Sequence, residues 1–253
     1  MAQACLIDKP SNFHHFGVMS GVQWLSFNDS IGGSRFPIQG APDKEPEDAL
    51  SALREPMPLK TPWVLWEQLA SGGYSTQRVV AFKTAQEFWA VWNGVPQPSE
   101  LLDNKRFFRE GPGGKTESVD AIMIFREGIE PQWEDKANAT GGHFQIQLKP
   151  SGLSGGGQID EYWNNLVLAM VGETMDAGYH ITGVRLVDKL SGKHKVTDSV
   201  RLELWYHSKA SATDIAALKK SMERILVTRL DGSLGTTFKG DALQDKKHST
   251  LGK

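Results

Sequence analysis

The residues with the clearest chemistry lie in a short segment, 125–135, where Trp133 is followed directly by Glu134. Segments that contain glycine and proline, as this one does, form surface loops, and a tryptophan in such a loop is poorly placed for the core. An exposed indole can stack on a flat cation, and a neighbouring carboxylate can accept hydrogen bonds from the edge of the same cation. The two residues together predict a receptor for a flat, positively charged ring.

A 7-methylguanine base is a ring of this kind, because methylation gives it a positive charge and its N1–H and N2–H donors lie along one edge. The chain has eight tryptophans and only four tyrosines, which also favours a stacking site. One alternative is a carbohydrate-binding module, which would need neither an ionised Glu134 nor a methylated ligand. A weaker alternative is a hydrolase that uses two carboxylates from the cluster Glu127, Glu130, Glu134 and Asp135, which a polar loop explains more simply.

Motifs for several kinds of enzyme are missing from the sequence. It contains neither a phosphate-binding P-loop nor the glycine fingerprint of a Rossmann domain. Its one cysteine, Cys5, and its seven histidines have no spacing that indicates a thiol nucleophile or a metal site. We therefore expect a binding protein rather than an enzyme, with no cofactor and no metal.

The charge balance and the cysteine count limit the partners and the compartment. Lysine and arginine number 28 and aspartate and glutamate 30, which gives a formal charge of −2. This balance excludes a wholly basic face but allows a local basic pocket. No stretch approaches the roughly 18 consecutive apolar residues of a membrane span, and the N-terminus lacks a secretory signal. A single cysteine fits a reducing compartment, so we expect a cytoplasmic protein that does not bind membranes.

Patterns of apolar residues predict the elements that must position these groups. Apolar runs, some of them alternating with period two, predict strands over 63–66, 78–82, 121–125, 143–148, 184–187 and 200–206. Helical spacing predicts three helices, one after a capping box of Thr84 and Glu87, one over 159–171 and one from Ser211. Strands with hairpin-type links and interspersed helices indicate an α+β fold, in which helices cover one face of an antiparallel sheet.

The remaining segments divide the chain into an extension and one domain. Residues 1–55 lack periodicity and include an acidic run broken by prolines, so we expect a disordered or loosely docked N-terminal extension. Residues 56–253 are expected to form the folded domain. Within it we expect a long loop over 97–120, a long hairpin tip over 190–199 and a mobile polar tail from Gly240.

Several motifs, in their order and approximate spacing, resemble the eukaryotic translation initiation factor 4E family of messenger RNA cap-binding proteins. The resemblance covers roughly residues 57–250, and its most specific stretch is Gly128 to Asp135. The other motifs are Pro58-Leu59, Trp63-Val64-Leu65-Trp66, Glu87-Phe88-Trp89, Gly141-Gly142, Tyr162-Trp163, Gly172-Glu173 and Leu202-Glu203-Leu204-Trp205. The resemblance implies a curved antiparallel sheet of about eight strands, with about three helices on its convex face.

The resemblance also implies that two aromatic rings sandwich the cap base on the concave side of the sheet. Trp133 matches one ring, and Tyr74 stands in the loop that usually supplies a second tryptophan. Glu134 matches the carboxylate that binds the edge of the base. Trp205 matches the residue that contacts the cap methyl group.

The cap phosphates are expected to meet basic residues at the other end of the same site. Lys189 and Arg201 match the family's phosphate-binding positions. His143 stands where family members often have arginine, which weakens or removes that contact. The longer hairpin tip adds Lys193 and Lys195 as further candidates for the phosphates or for nucleotides beyond the cap.

The convex face of the family binds a helical motif of a scaffold protein of the initiation factor 4G type or of a 4E-binding repressor. The residues that match this surface are Pro58, Trp89, Asn164, Asn165 and Leu168. The asparagine pair replaces the usual Leu-Glu, which removes a charge partner for a basic residue of the scaffold. We therefore expect a factor that binds capped messenger RNA and recruits a scaffold to initiate translation. The alternative is a repressor that sequesters transcripts without recruiting the initiation machinery.

Overall fold

The structure is a computed structural model that describes most of the expected domain. The described residues are 55–72, 75–103, 105–110, 116–190, 198–229, 232–235 and 242–248, together with the backbone of 16–18. Tyr74, Lys193 and Lys195 lie outside the described residues, so these three predicted site residues stay predictions. None of the described helices is long and apolar enough to cross a membrane.

The described part of the chain contains nine strands and four α-helices. The strands are β1 (Phe16–Val18), β2 (Pro58–Leu69), β3 (Thr76–Thr84), β4 (Phe107–Glu110), β5 (Thr116–Arg126), β6 (Gly142–Leu148), β7 (Ile181–Asp188), β8 (Val200–Tyr206) and β9 (Gln244–Lys247). The helices are α1 (Ala85–Trp92), α2 (Ser99–Leu102), α3 (Gly156–Val171) and α4 (Ala212–Val227).

All the strand pairs are antiparallel, and together they form one curved sheet. The order runs β1-β4-β5-β7-β8-β6-β9, and β2 carries β3 on its outer side. One edge of β5 pairs with β4 over 116–118 and with β2 from Val119 onward. Its other edge pairs with β7, so β5 holds the two halves of the sheet together.

The core lies between one face of the sheet and the three longer helices, and we call this face convex. Phe88 and Trp92 of α1 stack with their ring centroids 5.8 Å apart, and Trp92 also meets Trp163 of α3 at 5.7 Å. The opposite, open face has a much smaller apolar cluster of Ala121, Met123, Phe125, Val187 and Trp205. The predicted α+β architecture with three helices on the convex face is confirmed.

Local sequence determines where the helices begin. Thr84 and Glu87 form the predicted capping box at α1, where each side chain accepts a hydrogen bond from the other residue's backbone N–H. Ser211 and Asp214 do the same at α4. Each box satisfies backbone donors that have no partner within the helix.

The prediction of a long loop over 97–120 is wrong. This segment contains α2, β4 and the beginning of β5, while residues 104 and 111–115 lie outside the described part. Four residues are too few to show a strand period, and β4 forms because its backbone pairs with β5 on one side and β1 on the other. The backbone of residues 16–18 therefore docks on the domain, within the segment expected to be disordered or loosely docked.

Within the tail that was expected to be mobile, β9 pairs with β6 and forms one edge of the sheet. The strand consists of the polar residues Gln-Asp-Lys-Lys, all exposed, so no apolar pattern marks it. Main-chain hydrogen bonds to an edge strand depend little on side-chain type, because every residue except proline offers an N–H and a C=O. Leu243 and His248, on either side of β9, are buried.

Candidate functional site

The open face of the sheet carries a pocket of about 950 Å³. Alternation along β8 explains its floor: Leu202 and Leu204 lie in the core, while Arg201, Glu203 and Trp205 line the pocket. Arg185 of the neighbouring strand β7 lies in register with Glu203 and completes this floor. The sheet thus gives one face to the core and the other to the pocket.

The wall of the pocket includes Trp133 and Glu134, on the loop between β5 and β6. Both carboxylate oxygens of Asp135 accept hydrogen bonds from backbone N–H groups, one from Glu130 at 2.9 Å and one from Ala137 at 2.8 Å. The buried Asn138 amide donates to the carbonyls of Glu130 and Gln132, both at 2.9 Å. These bonds fix the backbone of the loop, which presents Trp133 with 52% of its surface exposed.

The carboxylates clustered along this loop do not converge on one point. Glu127 pairs with Arg78 on the surface, at 3.3 Å. Asp135 is turned into its own loop, whereas Glu134 lines the pocket. This division of roles gives no support to the alternative of a two-carboxylate hydrolase.

Trp205 is part of the floor of the pocket. It contacts several other rings and is only 1% exposed. His143 of β6 stacks on it with ring centroids 5.6 Å apart and planes inclined by 20°, and Phe125 meets it edge to face at 5.3 Å. The indole Nε1–H donates to Glu203 at 2.8 Å. Trp205 therefore has a fixed orientation before any ligand arrives.

Glu203 connects the aromatic end of the floor, at Trp205, to the cationic end, at Arg201. One carboxylate oxygen lies 2.7 Å from Nε of Arg201, and the other lies 3.2 Å from a guanidinium nitrogen of Arg185. Arg185 also donates to Gln68 of β2, at 2.9 Å. Burial alone would raise the pKa of Glu203, but Arg185 and Arg201 outweigh it and lower the pKa to about 2. Glu203 is thus a buried anion that holds two arginines in place.

Lys189 and Arg201, the predicted phosphate residues, both line the pocket beside this network. The backbone N–H of Lys189 donates to Ser199 at 3.1 Å and so closes the base of the β7–β8 hairpin. Burial lowers the pKa of the Lys189 ammonium, and the nearby positive charge of Arg201 lowers it further. A bound anion would oppose this lowering of the pKa, because a negative charge favours the charged form of lysine.

His143 lines the pocket among its aromatic residues. It is buried, lies in register with Trp205, and has its Nδ1 2.9 Å from Nε2 of His248. Burial lowers the pKa of His143, so the ring is neutral near pH 7 and offers no charge to a phosphate. It lies among the rings at the aromatic end of the pocket, and the weakened or absent phosphate contact stays a prediction.

The sequence patterns did not identify several residues that line the pocket. Arg185 had a usable signal, because a charged residue alternating with the apolar residues of a strand points away from the core. Glu203 carried the same signal on β8. Lys246 and Lys247 of β9 also line the pocket, and no local pattern marks them.

The residues predicted for a partner on the convex face differ in accessibility. Trp89 is 39% exposed, Pro58 is exposed and Leu168 is half-buried. Asn164 is 2% exposed, and its amide bonds the indole N–H of Trp92 at 3.0 Å and Gln97 at 2.8 Å. It therefore offers almost no surface to a partner, and its place in the partner-binding face stays a prediction. Asn165 donates to the carbonyl of Thr228 at 2.7 Å.

The pocket has the parts needed to bind a flat cationic ring joined to an anionic chain. Trp133 offers a face, Glu134 a carboxylate, and the Arg201 and Lys189 end supplies positive charge. Within the described ranges, no group of three or more histidine, cysteine, aspartate or glutamate side chains is arranged to hold a metal ion.

Comparisons with known proteins agree on one family. The family model described as "Eukaryotic initiation factor 4E" matches residues 58–252. The eukaryotic translation initiation factor 4E of Saccharomyces cerevisiae is 30% identical over 185 residues, which cover 61% of this chain and 78% of the yeast protein. The 4E-1 factor of Cucumis melo is 28% identical over 206 residues, which cover 79% and 75% of the two chains.

Solved structures of the same family share the fold. A complex of C. elegans eIF4E-3 with the 4E-binding protein Mextli and cap analog has a TM-score of 0.55 at 20% identity, covering 77% of this chain and 94% of that one. A complex of Ascaris suum eIF4E-3 with m2,2,7G cap has a TM-score of 0.53 at 20% identity, covering 75% and 98%. At this level of identity the likeness concerns the fold alone.

Replacing Glu203 by Gln should destabilise the protein by about 3 kcal/mol at pH 7, because two partly buried guanidinium groups lose their fully buried anion. The folded pKa of Glu203 lies below its ordinary value of 4.5, so its stabilisation is complete above pH 4.5 and is lost as the pH falls towards 2. Urea unfolding of wild type and variant between pH 7 and 3 should show the difference shrinking below pH 4.5.

The matched control is Glu127→Gln, which breaks a surface ion pair and should cost less than about 1 kcal/mol. Equal losses for the two variants, or a Glu203→Gln loss that does not change with pH, would contradict this role of Glu203.

Proposed function

The chain belongs to the eukaryotic initiation factor 4E family, and from that membership we propose that it binds the 7-methylguanosine cap of messenger RNA as a cytoplasmic translation initiation factor. The observation that carries the proposal is the placement of Trp133 and Glu134 on a fixed loop at the wall of a pocket with a cationic floor. The family membership supports the general role, and the geometry supports the ligand.

The base of the cap fits the aromatic end of the pocket. Methylation makes the base a flat cation, which the electron-rich face of Trp133 attracts more strongly than it attracts a neutral guanine. Glu134 accepts hydrogen bonds from N1–H and N2–H, and its negative charge adds to the preference for the cation. A carbohydrate would gain nothing from that charge, so the pair favours the methylated base over a sugar.

The phosphates of the cap fit the other end of the floor. Arg201 precedes Trp205 by four residues on the same strand, which places them about 13 Å apart along β8. A nucleotide whose base lies near Trp205 and Trp133 therefore extends its phosphates towards Arg201 and Lys189. Arg185 lies between these ends, in register with Glu203, and adds a third positive charge to the floor.

Binding, rather than turnover, is the activity that we propose. Both oxygens of Glu203, the buried carboxylate of the floor, lie in ion pairs with arginines. With its pKa near 2, this group holds no proton to donate near pH 7 and is a weak base. The electrostatics of the floor thus suit the retention of an anionic ligand.

A second surface supports a proposal about the protein partner. The C. elegans eIF4E-3 complex contains the 4E-binding protein Mextli, and we propose that this chain also binds a scaffold or a 4E-binding repressor. Trp89 lies beside Phe88, with ring centroids 5.1 Å apart, at the margin of the core and partly in solvent. An exposed tryptophan at the edge of a helix suits the apolar face of an amphipathic helix.

Trp133→Ala should weaken binding of 7-methyl-GTP by about 1–3 kcal/mol, the usual contribution of base–aromatic stacking. Glu134→Gln should reduce the preference for 7-methyl-GTP over GTP, because the neutral amide no longer attracts the cationic base. Retention on immobilised 7-methyl-GTP, with GTP as competitor, measures both effects. Trp89→Ala and Glu130→Gln are the matched controls outside the pocket. Equal binding of 7-methyl-GTP and GTP by the wild type would exclude the proposed function.

Lys189→Ala should weaken 7-methyl-GTP binding by about 1.5–3 kcal/mol, as expected for a charge-assisted hydrogen bond, and leave 7-methylguanosine binding nearly unchanged. Arg201→Lys should show a smaller loss, because it keeps the charge but not the paired donors. Titrations at two salt concentrations check the assignment, since salt should weaken the nucleotide complex more than the nucleoside complex. Lys209→Ala is the control, and equal losses for both ligands would show that Lys189 is structural.

Trp89→Ala should abolish binding of a scaffold or repressor protein while the variant is still retained on cap resin, because buried interface tryptophans often contribute about 2 kcal/mol or more. A pull-down with Trp133→Ala provides the reverse control, which should keep the partner and lose the cap. If Trp89→Ala keeps every partner, the convex face does not work as proposed, and the sequestering repressor becomes the better description.

A further inference from the structure

The stacking residue Trp133 has an unexpected ring partner at the C-terminal end of the described chain. The imidazole of His248 lies parallel to the indole, with centroids 5.4 Å apart and planes inclined by 22°. Among the described residues, His248 is the one aromatic side chain in contact with Trp133. A half-exposed indole on a loop would otherwise be free to change rotamer, so this contact bears on how Trp133 meets a ligand.

Three hydrogen bonds hold His248 in place. Its backbone N–H donates to the carbonyl of Gly141 at 3.0 Å. Its Nδ1 lies 2.9 Å from the carbonyl oxygen of Asn138, and its Nε2 lies 2.9 Å from Nδ1 of His143. The first two contacts join His248 to the loop that carries Trp133, and the third joins it to β6.

The bonding pattern determines where the protons lie. A carbonyl oxygen only accepts, so Nδ1 of His248 carries a proton and donates to Asn138. Nε2 of a neutral His248 must then accept, so the proton between the two rings belongs to Nδ1 of His143. Burial lowers the pKa of His248 to about 4. With both imidazoles neutral, His143 donates to His248, and His248 donates to the carbonyl of Asn138.

The position of His248 leaves one face of Trp133 available. His248 is 4% exposed and does not line the pocket, whereas Trp133 does. The imidazole therefore stacks on the indole without itself lining the pocket. Its other ring contact is Trp205, at 4.4 Å, so one imidazole touches both tryptophans of the aromatic end.

Building on the proposed function, we propose that His248 is a positioning residue for the cap base. It backs Trp133 on the far side and sets the distance of that indole from Trp205, so that base, indole and imidazole form one stack. The C-terminal strand β9 is then part of the binding site, because it delivers His248 to this position. A neutral imidazole suits the task, since a second cation on the indole would compete with the cationic base for the same π electrons.

The first test needs no ligand. In protein labelled with 5-fluorotryptophan, the ¹⁹F resonance of Trp133 is identified by its loss in Trp133→Phe. His248→Ala should shift and broaden this resonance, because the indole loses its support. The matched control is His180→Ala, which removes a histidine that pairs with Asp214 and does not line the pocket. An unchanged Trp133 resonance in His248→Ala would overturn the proposal.

The second test measures binding of 7-methylguanosine and of 7-methyl-GTP. His248→Ala should weaken both about three- to tenfold, the range that an aromatic pair contributes. The ratio of the two affinities should stay at its wild-type value, because Lys189 and Arg201 are untouched. His248→Phe should recover most of the loss, because it keeps a ring against Trp133 although it cannot form the hydrogen bonds.

The outcomes separate a positioning role from a merely structural one. If His248→Phe binds as poorly as His248→Ala, the hydrogen bonds and not the ring matter, and the stacking proposal is wrong. If His248→Ala changes the ratio of the two affinities, the damage extends to the phosphate end, which also contradicts it. A wild type that does not prefer the methylated ligand refutes the proposed function instead, while the fluorine resonance still decides whether His248 orients Trp133.

Discussion

The open face of this sheet depends on one buried carboxylate. Glu203 accepts from the indole of Trp205 and pairs with Arg185 and Arg201, so the orientation of three floor residues follows from one side chain. Removing a carboxylate from water is costly unless charges and donors compensate it, and here two guanidinium groups and an N–H do so. The same anion reduces the repulsion among the cations of the floor, which lets them stay close together without a ligand.

Side chains alternate between the two faces of the sheet, so residues that stabilise the fold and residues that line the pocket lie on opposite faces. On β8, Leu202 and Leu204 enter the core under the helices, while Arg201, Glu203 and Trp205 face the pocket. Helices cover the convex face, so the hydrophobic stabilisation of the fold lies almost entirely on that side. Charged and aromatic residues that suit a ligand can therefore lie on the open face with little loss of hydrophobic stabilisation.

Segments far apart in the chain complete the site. The Trp133 loop is fixed by Asp135 and Asn138, and its indole is backed by His248 from beyond β9. Fixing these groups before a ligand arrives lowers the entropy that binding must overcome. The short polar strand β9 pairs with β6, and His248 directly after it reaches the Trp133 indole.

The sequence by itself determined the α+β class, the helix starts and the identity of the pocket residues Trp133, Glu134, Lys189, Arg201 and Trp205. These features follow from local patterns, or from motifs whose spacing resembles one family. Only the tertiary structure decided that β4 and β9 are strands, that Asn164 is buried, that Glu203 pairs with two arginines of the pocket floor, and that His248 stacks on Trp133. Each of these depends on a partner distant in the chain: an edge strand forms through backbone bonds that any side chain permits, and a buried polar group acquires its role from neighbours that only folding supplies.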